Sequence, residues 1–573
     1  MEEPRNILEL EFLDRKIEEQ ALELAQWRLP SEALIFETLR AIDHAYCEEL
    51  FVNDDKLRPN ELHHRSLLTW GVNKALATLM PDELLRGPFR LFPSKADTQG
   101  QADFFLLKSG ILERAELLRG LLAEGLLSAR LDTPAKPTPR VRNVLVLKSS
   151  HSSLLQQAVA LKQRRWLSEF VRQQDSQWER DLERRHLDIL PELQARVSRL
   201  PEWGMSYSSS DDIDAYFLEW GQVYLRRIGS QDLIGLEEKI GGNQFNEYLG
   251  VLAALSGRSQ KHLCYAMILK KRHPELDVRN LLTTFAPCDE FLVALARFLD
   301  TDTLYLQKLL ASLTLEPANK AFHLDSGRTA WAPIVRATHD NYVLPMFGLE
   351  INPFLFLLND LQARYPKDWH EAANNREARW LRELKAIFVG HRWKIAEKNV
   401  VLRDGRRTVT DIDFLAYDTE HNEVALFQLK WQQSVGVDTR GRRSAAKNLV
   451  TEGNRWIAAV HDWLDRHGTG ELARRSGVEF KPDVHLEMFI LARYEAAFPG
   501  VAEKNEDATW ADWAHLLKVL WDNRRSSPRQ LAQFLRSEAA NIQNSHKSES
   551  FFMPLGDLAI AVNPTAEPMQ EQS

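Results

Sequence analysis

Four polar side chains interrupt apolar segments in the C-terminal part of the chain. Asp413 lies within VTDIDFLAYD, Gln428 and Lys430 lie within EVALFQLKW, and Glu377 lies within the helix-like segment REARWLRELKAIF. Carboxylate and amide oxygens are ligands that Mg²⁺ accepts in proteins, and a lysine ammonium can stabilise developing negative charge. These residue types therefore suit a site that binds a divalent cation beside a positive charge.

The two apolar segments alternate as β-strands do. With a period of two, Asp411 and Asp413 share one face of the first segment, and Gln428 and Lys430 share one face of the second. The connecting residues, DTEHN, are typical of a hairpin turn, so the strands are expected to be neighbours. Because burying Asp413 and Lys430 without partners would be costly, we expect them to meet at a shared polar site.

Alternative interpretations of these charges remain open at this point. Asp413 and Lys430 would also be satisfied as an inert buried ion pair. Asp411 either supports the site or makes a contact at a strand edge or turn.

The helix-like segment before the strands offers two glutamates with different expected environments. At 100° per residue, Glu377 lies within about 60° of Trp380, Leu384 and Phe388. Glu383 lies about 120° from Glu377 on the same wheel. We therefore expect Glu377 to lie on the buried stripe facing an internal polar cluster, and Glu383 to be in solvent.

These residues resemble the PD-(D/E)xK restriction-endonuclease superfamily. In that family a strand aspartate is followed by Glu-x-Lys or Gln-x-Lys on the next strand, and a glutamate on the preceding helix often completes the site. Here the pattern reads Glu377, Asp413, Gln428 and Lys430, and its Gln-x-Lys form is similar to the Mrr-like branch.

The resemblance implies a metal site and a role for each of these residues. Mg²⁺ (or Mn²⁺) would be bound by Asp413, Gln428 and Glu377, while Lys430 would orient the attacking water and stabilise negative charge. Since a neutral amide stands at position 428, metal binding would be weaker and one metal ion is expected rather than two.

A basic segment follows the motif. The sequence TRGRRSAAK contains Arg440, Arg442, Arg443 and Lys447 and no acidic residue. Beside such a site it would bind nucleic-acid phosphates, and the alternative is a solvated loop.

The order of elements predicts an α+β multidomain protein. A helix, three strands, a second helix and a fourth strand follow one another after residue 365, which indicates an α/β restriction-endonuclease-like domain with an αβββαβ core and a mixed sheet. The part of the chain before it is mostly α-helical by its apolar spacing. The predicted regions are a helical region at 1–132, a linker with a short strand and charged helices at 133–212, a helical domain at 213–365, the nuclease-like domain at 366–500, a C-terminal helical and strand extension at 501–563, and a disordered tail at 564–573.

Composition sets limits on the protein class. The 573 residues carry a net charge of −8 and are 44% hydrophobic, which is ordinary for a soluble globular protein, and a nucleic-acid enzyme needs only a local basic patch. Three cysteines without a CxxC pair disfavour a thiolate zinc site and fit a reducing cytosol, so a cytoplasmic location is expected. The acidic start is unlike a signal peptide, no apolar run is long enough for a membrane span, and no P-loop, HExxH or GxSxG motif occurs.

The sequence therefore predicts a metal-dependent endonuclease with DNA as the expected substrate, and the resemblance implies a role in bacterial restriction or anti-phage defence. Residues 1–365 would recognise a target, a protein partner or a second copy of the chain. The alternative is a catalytically inactive nuclease fold that binds nucleic acid or a protein. The stretch ALSGRSQKHLCYAMILKK fits either a helix–turn–helix or ordinary helix packing.

Overall fold

A computed structural model gives the fold of most of the chain. The residues it describes are 7–26, 32–51, 59–87, 92–133, 141–149, 176–201, 203–228, 234–324, 331–431, 439–494, 496, 504–543 and 550–563. The proline-rich linker from residue 134 onward, the first part of the charged stretch up to residue 175, and the tail predicted to be disordered lie outside the described residues.

The described helices are α1 (Ile7–Gln26), α2 (Glu32–Phe51), α3 (Pro59–Leu79), α4 (Ala96–Ala123), α5 (176–196), α6 (Asp211–Ile228), α7 (Phe245–Arg272), α8 (Arg279–Leu282), α9 (Cys288–Phe298), α10 (Thr303–Ala311), α11 (Lys320–Leu324), α12 (Met346–Glu350), α13 (Pro353–Arg364), α14 (Pro366–Ile387), α15 (Thr439–Ser476), α16 (Trp513–Asp522) and α17 (Pro528–Gln543).

The described strands are β1 (Leu127–Asp132), β2 (Asn143–Ser149), β3 (Val197–Arg199), β4 (Met205–Tyr207), β5 (Lys239–Ile240), β6 (Asn243–Gln244), β7 (Thr284–Pro287), β8 (Thr314–Leu315), β9 (Ile334–Val335), β10 (Asn341–Leu344), β11 (Trp393–Ile395), β12 (Val400–Asp404), β13 (Arg407–Ile412), β14 (Phe414–Asp418), β15 (Glu423–Lys430), β16 (His485–Ala492), β17 (Ala508–Asp512), β18 (Phe551–Leu555) and β19 (Leu558–Val562).

The N-terminal part is a helical bundle closed by a small sheet. Apolar side chains of α2, α3 and α4 share one core, and a second core joins α4 to the strands. The sheet has the order β1-β2-β19-β18, with β19 parallel to β2. The strands of the predicted C-terminal extension therefore complete the N-terminal region. The α+β class and the helical N-terminal region are confirmed.

Long helices also dominate the middle of the chain. Helix α7 runs without a break through ALSGRSQKHLCYAMILKK, so the helix–turn–helix alternative is wrong and helix packing accounts for the stretch. Helix α6 crosses α7 where Gly221 and Gly257 allow the two backbones to approach, since a Cβ on Gly257 would lie 2.2 Å from a carbonyl oxygen of α6. Among the described residues, no helix is long and apolar enough to cross a membrane.

The C-terminal part is built on a five-stranded mixed sheet of order β11-β14-β15-β16-β17. β14 is antiparallel to β11 and β15, whereas β15, β16 and β17 run parallel. Alternate residues of β15 enter different cores. Ala425 and Phe427 share a core with the Trp380 ring of α14, and Val424 and Leu426 share a core with α15. Helices thus cover both faces, which explains why the strands are apolar throughout.

The structure differs from the sequence prediction at two places in this sheet, and its packing also crosses a predicted boundary. The segment VTDIDFLAYD is not one strand, because it bends at Asp413 between β13 and β14, and β13 pairs with β12 in a separate hairpin. β17 adds a fifth strand beyond residue 500, the predicted end of the domain. The core on the α14 side continues into the helices before residue 365, so no break in packing marks that predicted boundary.

Substitution of Gly110 should destabilise the helical bundle. A Cβ there would lie 1.7 Å from the carbonyl oxygen of Leu67 on α3, so Gly110→Ala should lower the free energy of unfolding by about 1–3 kcal/mol. Gly100→Ala in the same helix is the matched control. It meets no atom within 4 Å and should raise stability by about 0.5–1 kcal/mol. Urea unfolding measures both, and equal effects would contradict the close crossing of α3 and α4.

Candidate functional site

Asp413 lies where the chain bends out of the five-stranded sheet. Its backbone N–H donates to the carbonyl oxygen of Phe427 over 3.1 Å, which keeps it beside β15. Its Oδ2 accepts hydrogen bonds from Gln428 Nε2 at 2.5 Å and from the Leu429 backbone N–H at 2.7 Å. No hydrogen bond from the described residues reaches Oδ1 of this carboxylate. The carboxylate is therefore held in one orientation, and its Oδ1 remains available to bind another group.

The environment of Asp413 makes its charge costly. Burial is the main cause that raises its pKa from 3.8 to about 6, and the nearby carboxylates of Asp411 and Glu377 raise it further. The Leu429 N–H and the Lys430 ammonium oppose this shift. The charges of Asp411, Glu377 and Lys430 thus all act on the Asp413 carboxylate at the end of β15.

Lys430 is paired with a residue that the sequence analysis missed. Its Nζ lies 3.2 Å from Oε2 of Glu452 on α15, and about a quarter of the lysine side chain is exposed. No described ion pair joins Lys430 to Asp413. The alternative of an inert buried pair between those two residues is therefore wrong, and the ammonium remains accessible to solvent.

The expected environments of the two helix glutamates were wrong. Glu377 is exposed, whereas Glu383 is half-buried and its Oε2 accepts a hydrogen bond from Arg493 Nη1 at 2.7 Å. The reason lies in the first half of α14, where Trp369 and Ala372 are also buried. They shift the centre of the buried stripe so that it passes between the two glutamates. The charge of Glu377 still raises the pKa of Asp413 slightly.

Arg493 lies beside the same end of β15 and was not predicted from the sequence. It is 6% exposed, and its guanidinium lies over the rings of Trp380, Trp431 and Trp513 at 5.7, 5.3 and 5.1 Å. Its backbone N–H donates to the carbonyl oxygen of Lys430 over 3.1 Å. Arg493 therefore joins the end of β15 to α14. A charged residue closing the apolar strand HLEMFILAR was the one sequence signal for it.

Asp411 lies beside the site and also makes local contacts. Its Oδ2 accepts a hydrogen bond from Asn399 Nδ2 at 3.2 Å, and its carbonyl oxygen accepts one from Trp456 Nε1 at 2.6 Å. These contacts fix the base of the hairpin, while the charge of Asp411 reaches Asp413. Asp411 therefore makes a local contact at the strand edge and also raises the pKa of Asp413 through its charge.

The basic segment begins a helix instead of forming a loop. Helix α15 starts at Thr439, so the backbone of TRGRRSAAK is helical. The alternative interpretation of this segment as a loop is therefore wrong. Lys447 is exposed, and the side chains of Arg440, Arg442 and Arg443 lie outside the described residues.

The donor set is sparse for a metal site. Within the described ranges, no group of three or more His, Cys, Asp or Glu side chains is placed to hold a metal ion. The residues that the sequence suggested are two carboxylates and an amide, all hard oxygen donors of the kind that Mg²⁺ accepts. Such a set fits a single Mg²⁺ that keeps several water ligands, which is its usual behaviour in proteins.

Comparison with models of known protein families, with curated proteins and with solved structures gives no match for this chain.

Replacing Asp413 by Asn should change how stability depends on pH. The ionised carboxylate is disfavoured by burial, so its cost is full above pH 6 and disappears as the pH falls towards 4. The free energy of unfolding of the variant minus that of wild type should be about 1–3 kcal/mol more positive at pH 8 than at pH 4. Unfolding of both proteins at the two pH values measures this. A difference that does not vary with pH would contradict the raised pKa.

Glu383 and Glu377 should differ in their effect on stability. Glu383→Gln removes the carboxylate that faces the buried Arg493 guanidinium, so it should lower the free energy of unfolding by about 1–3 kcal/mol. Glu377→Gln changes an exposed side chain and should stay within about 0.5 kcal/mol of wild type. Thermal unfolding of the two variants provides the comparison, and the reverse order would show that α14 is rotated from the orientation described.

Proposed function

We propose that the chain is a metal-dependent nuclease whose active site is built around Asp413. The observation that carries this proposal is the oriented Asp413 carboxylate at the end of β15, with Lys430 two residues along the same strand from Gln428. The order α14, three sheet strands, α15 and β16 supports it, because that is the order the resemblance to PD-(D/E)xK nucleases implies.

Asp413 and Glu377 are the residues that would hold Mg²⁺ or Mn²⁺. When bound, such an ion polarises a phosphate and lowers the pKa of a water ligand. Burial is the main cause that raises the pKa of Asp413, and the charges of Asp411 and Glu377 add to it; a bound cation would offset both effects. At a metal concentration that does not saturate the site, cleavage should therefore increase as the pH rises through about 6, where Asp413 of the metal-free protein loses its proton.

Gln428 acts first as an orienting group in this proposal. Its Nε2 donates to Asp413, so the amide nitrogen faces the carboxylate and holds it in place. The same amide carries Oε1, which would be its contribution to the metal or to a water. Glutamate at this position would place a second negative charge beside Asp413, and the amide avoids that repulsion.

Lys430 supplies the positive charge. Glu452 restrains its ammonium at 3.2 Å without burying it, so Nζ can approach a phosphate oxygen. There it would stabilise charge that develops as the phosphodiester bond breaks. Arg493 fixes the backbone of Lys430 and so determines where this side chain begins.

DNA is the expected substrate, and restriction or anti-phage defence is the role that the resemblance suggests. Residues 1–365 would provide target recognition, a protein interface or self-association. A second candidate function is an inactive scaffold that binds nucleic acid or protein. The small number of carboxylates at the site and the neutral Gln428 favour that alternative.

Cleavage assays separate the two candidates. Wild type should nick or linearise a plasmid with Mg²⁺ or Mn²⁺ and not with EDTA, and Asp413→Asn and Lys430→Ala should each lose at least about 100-fold in rate. Glu377→Gln should lose about 10-fold or more, because a carboxylate that holds the metal or its water is removed.

Glu371→Gln is the matched control for that last variant, since Glu371 is an exposed glutamate of the same helix. It should cleave as wild type does. A folded Asp413→Asn protein with wild-type activity would overturn the assigned site. A wild type inactive on duplex DNA, single-stranded DNA and RNA with either metal would favour the scaffold.

A further inference from the structure

The β12–β13 hairpin is a separate feature that the proposed chemistry does not use. Its strands pair with each other and lie outside the five-stranded sheet. One face packs on α15 through Val400, Leu402 and Ile412. Trp463 Nε1 of α15 also donates to the Arg403 carbonyl oxygen over 3.1 Å. The hairpin is therefore held firmly against α15; on its other face Arg403 and Thr408 are exposed, and Val401 and Asp411 are half-buried.

The tip of the hairpin carries concentrated positive charge. Arg403, Arg406 and Arg407 are all exposed, and none of them forms an ion pair with the described residues. The carboxylate of the turn, Asp404, is already paired with Arg466 and with His467 of α15. Three guanidinium groups at the tip thus remain without a compensating acid.

The outer face of the hairpin leads from the proposed site to this tip. Val401 pairs across the hairpin with Asp411, and Arg403 pairs with Thr408. Val401 and Arg403 are alternate residues of β12, so Asp411 and Arg403 lie on the same side of the hairpin in spite of the bulge in the register after Leu402. Arg407 pairs with Asp404 and so lies on the α15 side of the tip. Asp411 interacts electrostatically with Asp413, so the face begins at the site and ends at the arginines.

Two independent lengths place the tip about 20 Å from the site. The six residues of β13 separate the turn from Asp413, and at roughly 3.3 Å per residue they span at most about 20 Å, because one of them is taken up by a bulge. Along α15, Glu452 contacts Lys430 and Arg466 contacts Asp404. At 1.5 Å rise per residue, that part of the helix spans about 21 Å.

A spacing of about 20 Å suits a stiff polyanion. Duplex DNA advances about 3.4 Å for each phosphate of one strand, so it would span the distance in about six base pairs. Its persistence length is about 150 base pairs, so it stays straight over this length and contacts both points at once. A single strand would first have to be ordered, which costs conformational entropy.

We infer that the outer face and tip of the β12–β13 hairpin form a second contact surface for double-stranded nucleic acid, with Arg403, Arg406 and Arg407 binding its phosphates about six base pairs from the reacting bond. The choice of nucleic acid as the partner rests on the proposed nuclease function. The surface is distinct from the basic start of α15. The helix passes Lys430 at Glu452 before it reaches the tip at Arg466, so its start lies on the far side of the site from the tip.

Duplex binding without cleavage tests this surface. The full-length protein is titrated into a fluorescent duplex of about 20 base pairs in EDTA, and Kd is measured at several salt concentrations. The R403Q/R406Q/R407Q variant should bind about 10- to 100-fold more weakly at low salt. The slope of log Kd against log salt should fall by about 2–3, since each lost phosphate contact removes about 0.9.

A matched control removes the same charge elsewhere. Arg180, Arg184 and Arg297 are exposed on α5 and α9, and their replacement by Gln should leave affinity and slope close to wild type. Thermal unfolding of both triple variants should match wild type, because all six side chains are exposed.

The possible outcomes separate this inference from the proposed function. Equal affinity and slope in the two triple variants, or a wild type that does not bind the duplex at low salt, would overturn the hairpin surface. An equal loss on a single strand of the same length would overturn the choice of a duplex. Hairpin-dependent binding by a protein that never cleaves would support the surface and overturn the nuclease.

Discussion

The Asp413 carboxylate takes the place of a strand neighbour at the end of β15, where its Oδ2 binds the Leu429 backbone N–H and the Gln428 amide. This contact lets the chain leave the sheet towards the hairpin without exposing unpaired backbone groups of β15. It also sets the direction of the carboxylate and opposes the rise in its pKa that burial causes. The proposed chemistry and the path of the β12–β13 hairpin both depend on this one residue.

The two faces of the sheet support this point in different ways. On the α14 side, Arg493 is enclosed by tryptophan rings and tied to Glu383, which fixes the backbone of Lys430 from behind. On the α15 side, Glu452 restrains the lysine ammonium and two tryptophans hold the hairpin. The α14 side thus positions the backbone of Lys430, and the α15 side holds the lysine ammonium and the hairpin.

Sequence periodicity predicted the neighbouring strands β14 and β15, the shared region of Asp413 and Lys430, and the helices on either side. It could not locate the bend at Asp413, because the alternation of VTDIDFLAYD continues across it. The phase of α14 was wrong since the wheel used residues after Glu377 alone, while Trp369 and Ala372 also lie in the core. Arg493 and its tryptophans come from four separate segments, and only the folded chain brings them together.

The most direct test of the account is whether a metal ion binds at Asp413. A crystal of the wild-type protein soaked in Mn²⁺, with anomalous diffraction recorded near the manganese absorption edge, shows the ion independently of any activity. The account predicts one anomalous peak at direct-ligand distance from Asp413 Oδ1, on the side facing Glu377, which is lost in Asp413→Asn. A peak elsewhere only, or none at Mn²⁺ concentrations that saturate ordinary protein sites, would contradict the central claim.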